Sequence, residues 1–158
     1  MTAGRLKLRE FAGESTGPHL LITGGVHGDE FEPIAAIRKL SQLLGEHPDH
    51  AALLSGRVSL VPCVNEEAFL LGRRCATDGL DLARTCPGHP DGSTTEQTAW
   101  ALSQLIQSAD FYIDLHTGGT EYSIYPLAGY MLHPNQKVLS AQRRMAKAFG
   151  LPVIWGTA

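Results

Sequence analysis

Apolar and polar positions change period several times along the 158-residue chain. Residues 5–11, RLKLREF, alternate apolar and polar, which predicts an edge strand with one buried face. GPHLLITGGV (17–26) is instead a short apolar run bounded by glycines, which suits a central strand buried on both faces. EFEPIAAIRKLSQLL (30–44) switches to helical spacing, with Phe31, Ile34, Ile37, Leu40, Leu43 and Leu44 forming the apolar stripe. Its acids come first and Arg38 and Lys39 later, matching the helix dipole, and Pro33 fits the first turn. GEHPDH (45–50) reads as a loop and GRVSLVPCVN (56–65) as a second strand.

Residues 65–93 are rich in Gly, Asp, Arg and Pro and weakly periodic, so a long irregular segment is expected there. Such segments inside compact domains often carry function. STTEQTAWALSQLIQSA (93–109) is a helix with a Ser or Thr cap just before Glu96. DFYIDLHTGG (110–119) is a strand running into a glycine turn, and EYSIYPLAGYML (121–132) holds one or two further strands. QKVLSAQRRMAKAFG (136–150) is an amphipathic helix closed by Gly150, and LPVIWG (151–156) starts one more buried strand.

Strands alternating with helices imply an α/β sandwich with a largely parallel sheet. Ligands in such sheets gather at the carboxyl ends of the strands, and two of those ends carry His27 and His116. Apolar residues at 43% and charged residues at 18% are a globular composition, and the length fits one domain, residues 1–158. A net charge of -3 argues against a nucleic-acid partner but leaves room for a local cationic pocket. There is no signal-like N-terminus, and no run approaches the roughly 18 apolar residues of a membrane helix. A cytoplasmic protein with no membrane partner is expected. Cys63, Cys75 and Cys86 are odd in number and lack CxxC spacing, so free thiols are expected rather than disulfides or a cysteine zinc site.

The sharpest local signal is GGVHGDE, where an apolar strand ends and His27 and Glu30 stand three residues apart. With His27 in the turn and Glu30 opening a helix, both side chains can bend toward one point, and His116 at the end of YIDLH can supply a third ligand. That is the usual protein donor set of a catalytic zinc, which keeps a fourth place open. Asp114 lies two residues before His116, on the same strand face, where it can back the site as a hydrogen-bond acceptor. His47, Asp49 and His50 offer competing ligands in a proline loop, while His19, His89 and His133 have no partner at ligand spacing. Arg73, Arg74 and Arg84 stand in the irregular segment. They suit a clamp for an anionic carboxylate, or equally structural pairs with Asp78 or Asp81.

GGVHGDE, then an N-x-x-A segment (Asn65, Ala68) leading to Arg74, then DGLDLARTCPG and DLHTG, in this order, resemble the succinylglutamate desuccinylase/aspartoacylase family, itself related to zinc carboxypeptidases. The resemblance spans residues 19 to about 119. It implies a three-layer α/β/α sandwich with a mainly parallel mixed sheet, zinc-carboxypeptidase-like, in a single zinc-hydrolase domain. It also implies one Zn2+ per chain, held by His27, Glu30 and His116. Arg74 and Arg84 would bind a small anionic N-acyl amino acid, whose acyl group is removed by hydrolysis. Ala83 replaces the asparagine of the family's DLNR motif, and TCPG replaces its usual FPG. The family's general-base glutamate lies on a late strand, and no residue here matches it; Glu121 does not. The sheet is therefore expected to lack its C-terminal part, leaving a sticky edge near Trp155, with oligomers possible and weak turnover by this chain alone. A non-catalytic metal- or ligand-binding relative and a carboxypeptidase-type peptide hydrolase are the rival readings.

Overall fold

The structure, a computed structural model, describes residues 6–46 and 55–157. They fall into two compact units that divide between Tyr122 and Ser123. In the first, β1 (Arg9–Ala12), β2 (Ser15–Gly24), α1 (Phe31–Glu46), β3 (Ser55–Val61), α2 (Glu66–Leu71), α3 (Leu82–Thr85), α4 (Thr94–Gln107) and β4 (Phe111–Leu115) follow in order. The sheet runs β1-β3-β2-β4, with β2 parallel to both its neighbours and β1 antiparallel on the edge. The HPDH candidates His47, Asp49 and His50 lie outside the described residues.

The apolar run of β2 explains the layering. Successive strand side chains point to opposite faces. Leu20 and Ile22 pack with Ile37, Leu40 and Leu44 of α1 and with Val58 and Leu60 of β3. Leu21 packs the other way, with Val61 and with Ala99 and Leu102 of α4. A helix therefore covers each face, and a strand buried on both sides has no use for polar alternation. Full burial of a leucine such as Leu21 stabilises by about 1.5–3 kcal/mol. His19, on the α4 face toward the start of β2, is buried and satisfied: one ring nitrogen meets Ser59 Oγ at 2.8 Å and the other Ser108 O at 2.9 Å. It is a core histidine.

The segment 65–93 is less irregular than its composition suggests. Asn65 caps α2 through Ala68 N–H, and Gly72 closes it at φ 60°. Asp81 caps α3 through Ala83 N–H. Helices of six and four residues are too short to show a period, so only their caps announce them. α4 starts with the Ser or Thr cap expected just before Glu96: it is Ser93, which forms a capping box with Glu96.

In the second unit, β5 (Leu127–Met131) pairs in parallel with β6 (Val153–Thr157), and α5 (Gln136–Phe149) connects them and packs on β5. Gly150 ends α5 in the left-handed region at φ 78°. Of the predicted strand region 121–132, only Leu127–Met131 is a strand. β6 forms where expected, but it is not buried: Val153, Ile154 and Trp155 are all exposed. A two-stranded sheet gives β6 one neighbour, which is too little to cover an apolar strand. Among the described residues no helix is long and apolar enough to cross a membrane.

Gly28 fixes how the turn after β2 meets α2. A Cβ there would sit 2.0 Å from the Ala68 carbonyl carbon and 2.2 Å from Phe69 N, both backbone. Gly28→Ala is expected to destabilise the chain by about 1–3 kcal/mol, the usual cost of overpacking. Urea unfolding measures it; an unchanged midpoint would show that the turn and α2 are free to part.

Candidate metal centre

β2 ends in Gly24 and Gly25, and Gly25 takes φ 64°, which a side chain at that position resists. The turn is pinned from the side. Val64 N–H donates to Gly24 O at 3.0 Å and Asn65 N–H to Gly25 O at 2.9 Å. This points His27 inward, while Glu30 falls just before the first residue of α1. Both are almost fully buried, at 4% and 3% exposure. β4 lies beside β2 with Gly24 opposite Leu115, so His116 arrives at the same end of the sheet.

The three side chains converge. His27 Nδ1 lies 2.8 Å from Glu30 Oε1 and His116 Nδ1 3.0 Å from Glu30 Oε2. Thr117 N–H donates to Oε2 at 2.8 Å. One candidate ligand atom from each of His27, Glu30 and His116 lies within 4.8 Å of the others. The far nitrogens are also held: His27 Nε2 lies 3.1 Å from Asp81 Oδ1, and His116 Nε2 lies 2.7 Å from Asp114 Oδ2. Two imidazoles thus present the same atom, Nδ1, to one carboxylate, each with a carboxylate behind it. Outer carboxylates of this kind orient metal-binding histidines, and nitrogen and oxygen donors at this spacing suit zinc.

Asp114 stands where its spacing predicted, and the ring atom it meets is Nε2. Asp81 is the residue that spacing did not assign to the site. It entered only as a possible arginine partner, yet it backs His27 as well as pairing with Arg74 at 3.0 Å. Its sequence signal is the helix cap in DGLDLAR, which brings a carboxylate to the site 54 residues after His27. Asp78, the other arginine partner considered, accepts from Thr95 N–H and Oγ1 instead. Arg74 also reaches within 3.9 Å of Glu30 Oε1. Arg84 is exposed; among the described residues its guanidinium bonds to the carbonyl of Ala83 at 3.3 Å and meets no carboxylate. The cysteines are free thiols, and burial pushes Cys63 up to about 11, which leaves it unreactive.

Electrostatics follow the contacts. Burial works to raise the Glu30 pKa, but hydrogen bonds from His116, His27 and Thr117 outweigh it and hold the carboxyl at about 2. The Asp114 and Glu30 carboxylates, against the opposing effect of burial, push His116 up to about 10. Burial likewise works to raise the Asp81 pKa, but hydrogen bonds from Arg74, His27 and the Ala83 amide outweigh it and lower it.

A model of the succinylglutamate desuccinylase/aspartoacylase catalytic domain matches residues 16–157. The chain belongs to that family. N-alpha-acetyl-L-2,4-diaminobutyric acid deacetylase of Halomonas elongata is 41% identical over 138 residues, which is 86% of this chain and 39% of the relative. A succinylglutamate desuccinylase/aspartoacylase crystal structure from Rhodobacter sphaeroides superposes with a TM-score of 0.86 at 32% identity, over 96% of this chain and 45% of that one. Product-bound EutE (DoeB), an ectoine utilization protein of Ruegeria pomeroyi, gives 0.83 at 31% identity over 96% and 45%. The chain spans less than half the length of these desuccinylase/aspartoacylase relatives. Across the part it spans, its fold is theirs: the α/β/α arrangement of the zinc-carboxypeptidase type.

The Glu30–His116 pairing predicts a stability profile for the metal-free chain. Glu30 is lowered from 4.5 to about 2, so its contribution is present above pH 4.5 and lost as pH falls through 2. His116 is raised from 6.5 to about 10, so its contribution is full below pH 6.5 and lost as pH rises through 10. Unfolding midpoints in the presence of a chelator are expected to fall between pH 6.5 and 10, and His116→Ala to flatten that limb. Parallel profiles for the two proteins would show that His116 gains no proton affinity from the fold.

Proposed function

We propose that the chain carries the metal-binding part of a zinc-dependent deacylase, which hydrolyses the amide bond of a small anionic N-acyl amino acid. The supporting observation is the converging triplet His27, Glu30 and His116, each imidazole offering Nδ1 with a carboxylate on Nε2. The donor set fits one Zn2+. A zinc ion held there supplies a Lewis acid that polarises the acyl carbonyl and acidifies water toward a pKa of about 7. The name of the Halomonas elongata relative, a deacetylase for an N-acetylated amino acid, supports the reaction class.

The chain's own residues have distinct tasks in this reading. His27 and His116 would offer Nδ1 to the metal, while Asp81 and Asp114, facing their Nε2 atoms, would hold the rings in place. Arg84, exposed and without a carboxylate partner among the described residues, is the substrate-carboxylate anchor. Arg74, between Asp81 and Glu30, lies where a carbonyl oxygen can be steadied as it gains charge. Ala83 provides no amide beside Arg84, so one polar contact to substrate is missing, at about 0.5–1.5 kcal/mol. The proton-accepting glutamate of the reaction is not assigned among the described residues. Residues 1–158 are read as belonging to one catalytic domain, since the family match runs through both compact units. Ala83 also favours a second reading, a metal- and ligand-binding relative without turnover.

Two measurements separate these. Metal analysis of the purified chain is expected to give about one zinc per chain, and none after His27→Ala with His116→Ala. A chain that holds no zinc would sink the proposal. In an assay of the chain on a panel of N-acyl amino acids, Arg84→Ala is expected to raise KM about tenfold or more, the loss of a charge-assisted contact, with a smaller change in kcat. Zinc binding with no hydrolysis across the panel, and none of C-terminal peptide bonds, would favour the binding reading instead.

A further inference from the structure

Behind His116 the hydrogen bonds continue into the core. Thr23 is fully buried and lies opposite Asp114 in the parallel β2–β4 register. Its hydroxyl donates to Asp114 Oδ1 at 2.6 Å. A hydroxyl has one proton to give, so the second contact of Thr23 Oγ1, with the Tyr112 hydroxyl at 2.9 Å, has tyrosine as the donor. Burial, first, and the Asp114 charge raise the Tyr112 pKa, which keeps that proton in place. The donors therefore all run one way: Tyr112 to Thr23, Thr23 to Asp114 Oδ1, and His116 Nε2–H to Asp114 Oδ2. Register makes this possible, because Tyr112, Asp114 and His116 are spaced by two and Thr23 is the cross-strand partner of Asp114.

We propose that Thr23 is a positioning residue for the metal centre: its hydroxyl fixes the Asp114 carboxylate, and through it the ring orientation and Nε2–H tautomer of His116. This rests on the zinc reading above. A carboxylate with one oxygen on a rigid central strand cannot swing, so the imidazole it holds keeps Nδ1 aimed at the donor cluster. Tyr112 adds order at the far end but is not required, since Thr23 keeps its own proton for Asp114 without it.

Zinc affinity, measured by competition with a chromophoric chelator, tests the idea without any assay of turnover. Thr23→Val keeps the shape and removes the hydroxyl; it is expected to weaken zinc binding about tenfold, the low end for residues that support a ligand. Thr23→Ser restores the donor and is expected to stay within about twofold of the parent, as is Tyr112→Phe. Leu102→Ala, which thins the core that Tyr112 packs against but makes none of these hydrogen bonds, is expected to lower the unfolding midpoint and leave zinc affinity unchanged. Thr23→Ala serves as the donor-free variant if the valine protein does not fold. Equal affinity for Thr23→Val and parent, or equal loss in Thr23→Ser, would overturn the assignment while leaving the zinc site intact. Loss of affinity in Leu102→Ala to the same degree would also overturn it, since core stability alone would then explain the effect. A parent chain that takes up no zinc would remove both this inference and the metal reading.

Discussion

A single buried carboxylate organises this end of the molecule. Glu30 is 3% exposed and ionised, and a charge taken out of water must be matched by close partners or expelled. Its two oxygens meet His27, His116 and the Thr117 amide. These partners come from the turn after β2 and the loop after β4, so one charge ties together segments 86 residues apart. Its place just before α1 adds a favourable helix dipole. The glycine turn, the position of Gly28 against α2 and the tuck of Asn65 under Gly25 all serve to bring that carboxylate to its partners.

The two sides of Glu30 differ in a way that matters for chemistry. The His27 side chain is 5% exposed, with its ring wedged between Glu30 and Asp81. The His116 side chain is 37% exposed. Solvent reaches the cluster at His116, whereas the His27 side is walled in. Arg74, exposed on the segment that supplies Asp81, pairs with that carboxylate at 3.0 Å, so a cationic group flanks a cluster rich in carboxylates.

Much of this was legible in the sequence because the physics is local. β2 announced itself by an unbroken apolar run, α4 by its capping box, and α5 by its closing glycine. The donors His27, Glu30 and His116 stood out because strand ends in α/β sheets are where ligands gather. What stayed hidden depended on packing between distant segments. Asp81 reaches His27 only because α3 folds back across 54 residues, and no spacing encodes that. Thr23 looks like any polar residue in a strand until β4 is placed beside it in register. The exposure of β6 escapes the sequence for the opposite reason. Val153, Ile154 and Trp155 read as core, but how well an apolar strand is covered depends on its neighbours and not on its own residues.

The parallel pairing of β2 on both sides has a consequence for how the protein acquires its site. Parallel neighbours cannot be joined by a tight hairpin. β3 reaches β2 only after α1 has crossed over, and β4 only after α2, α3 and α4. His27 and Glu30 leave the ribosome together, but His116 follows 86 residues after Glu30 and meets it only once β4 has docked. Until then a charged carboxylate has one of its three hydrogen-bond partners, His27, and lacks His116 and the Thr117 amide. Long-range closure of this kind is slow. The last strand of the first unit to arrive is thus the one that both completes the sheet edge and closes the donor cluster, making a finished site a report that folding of that unit has gone to its end.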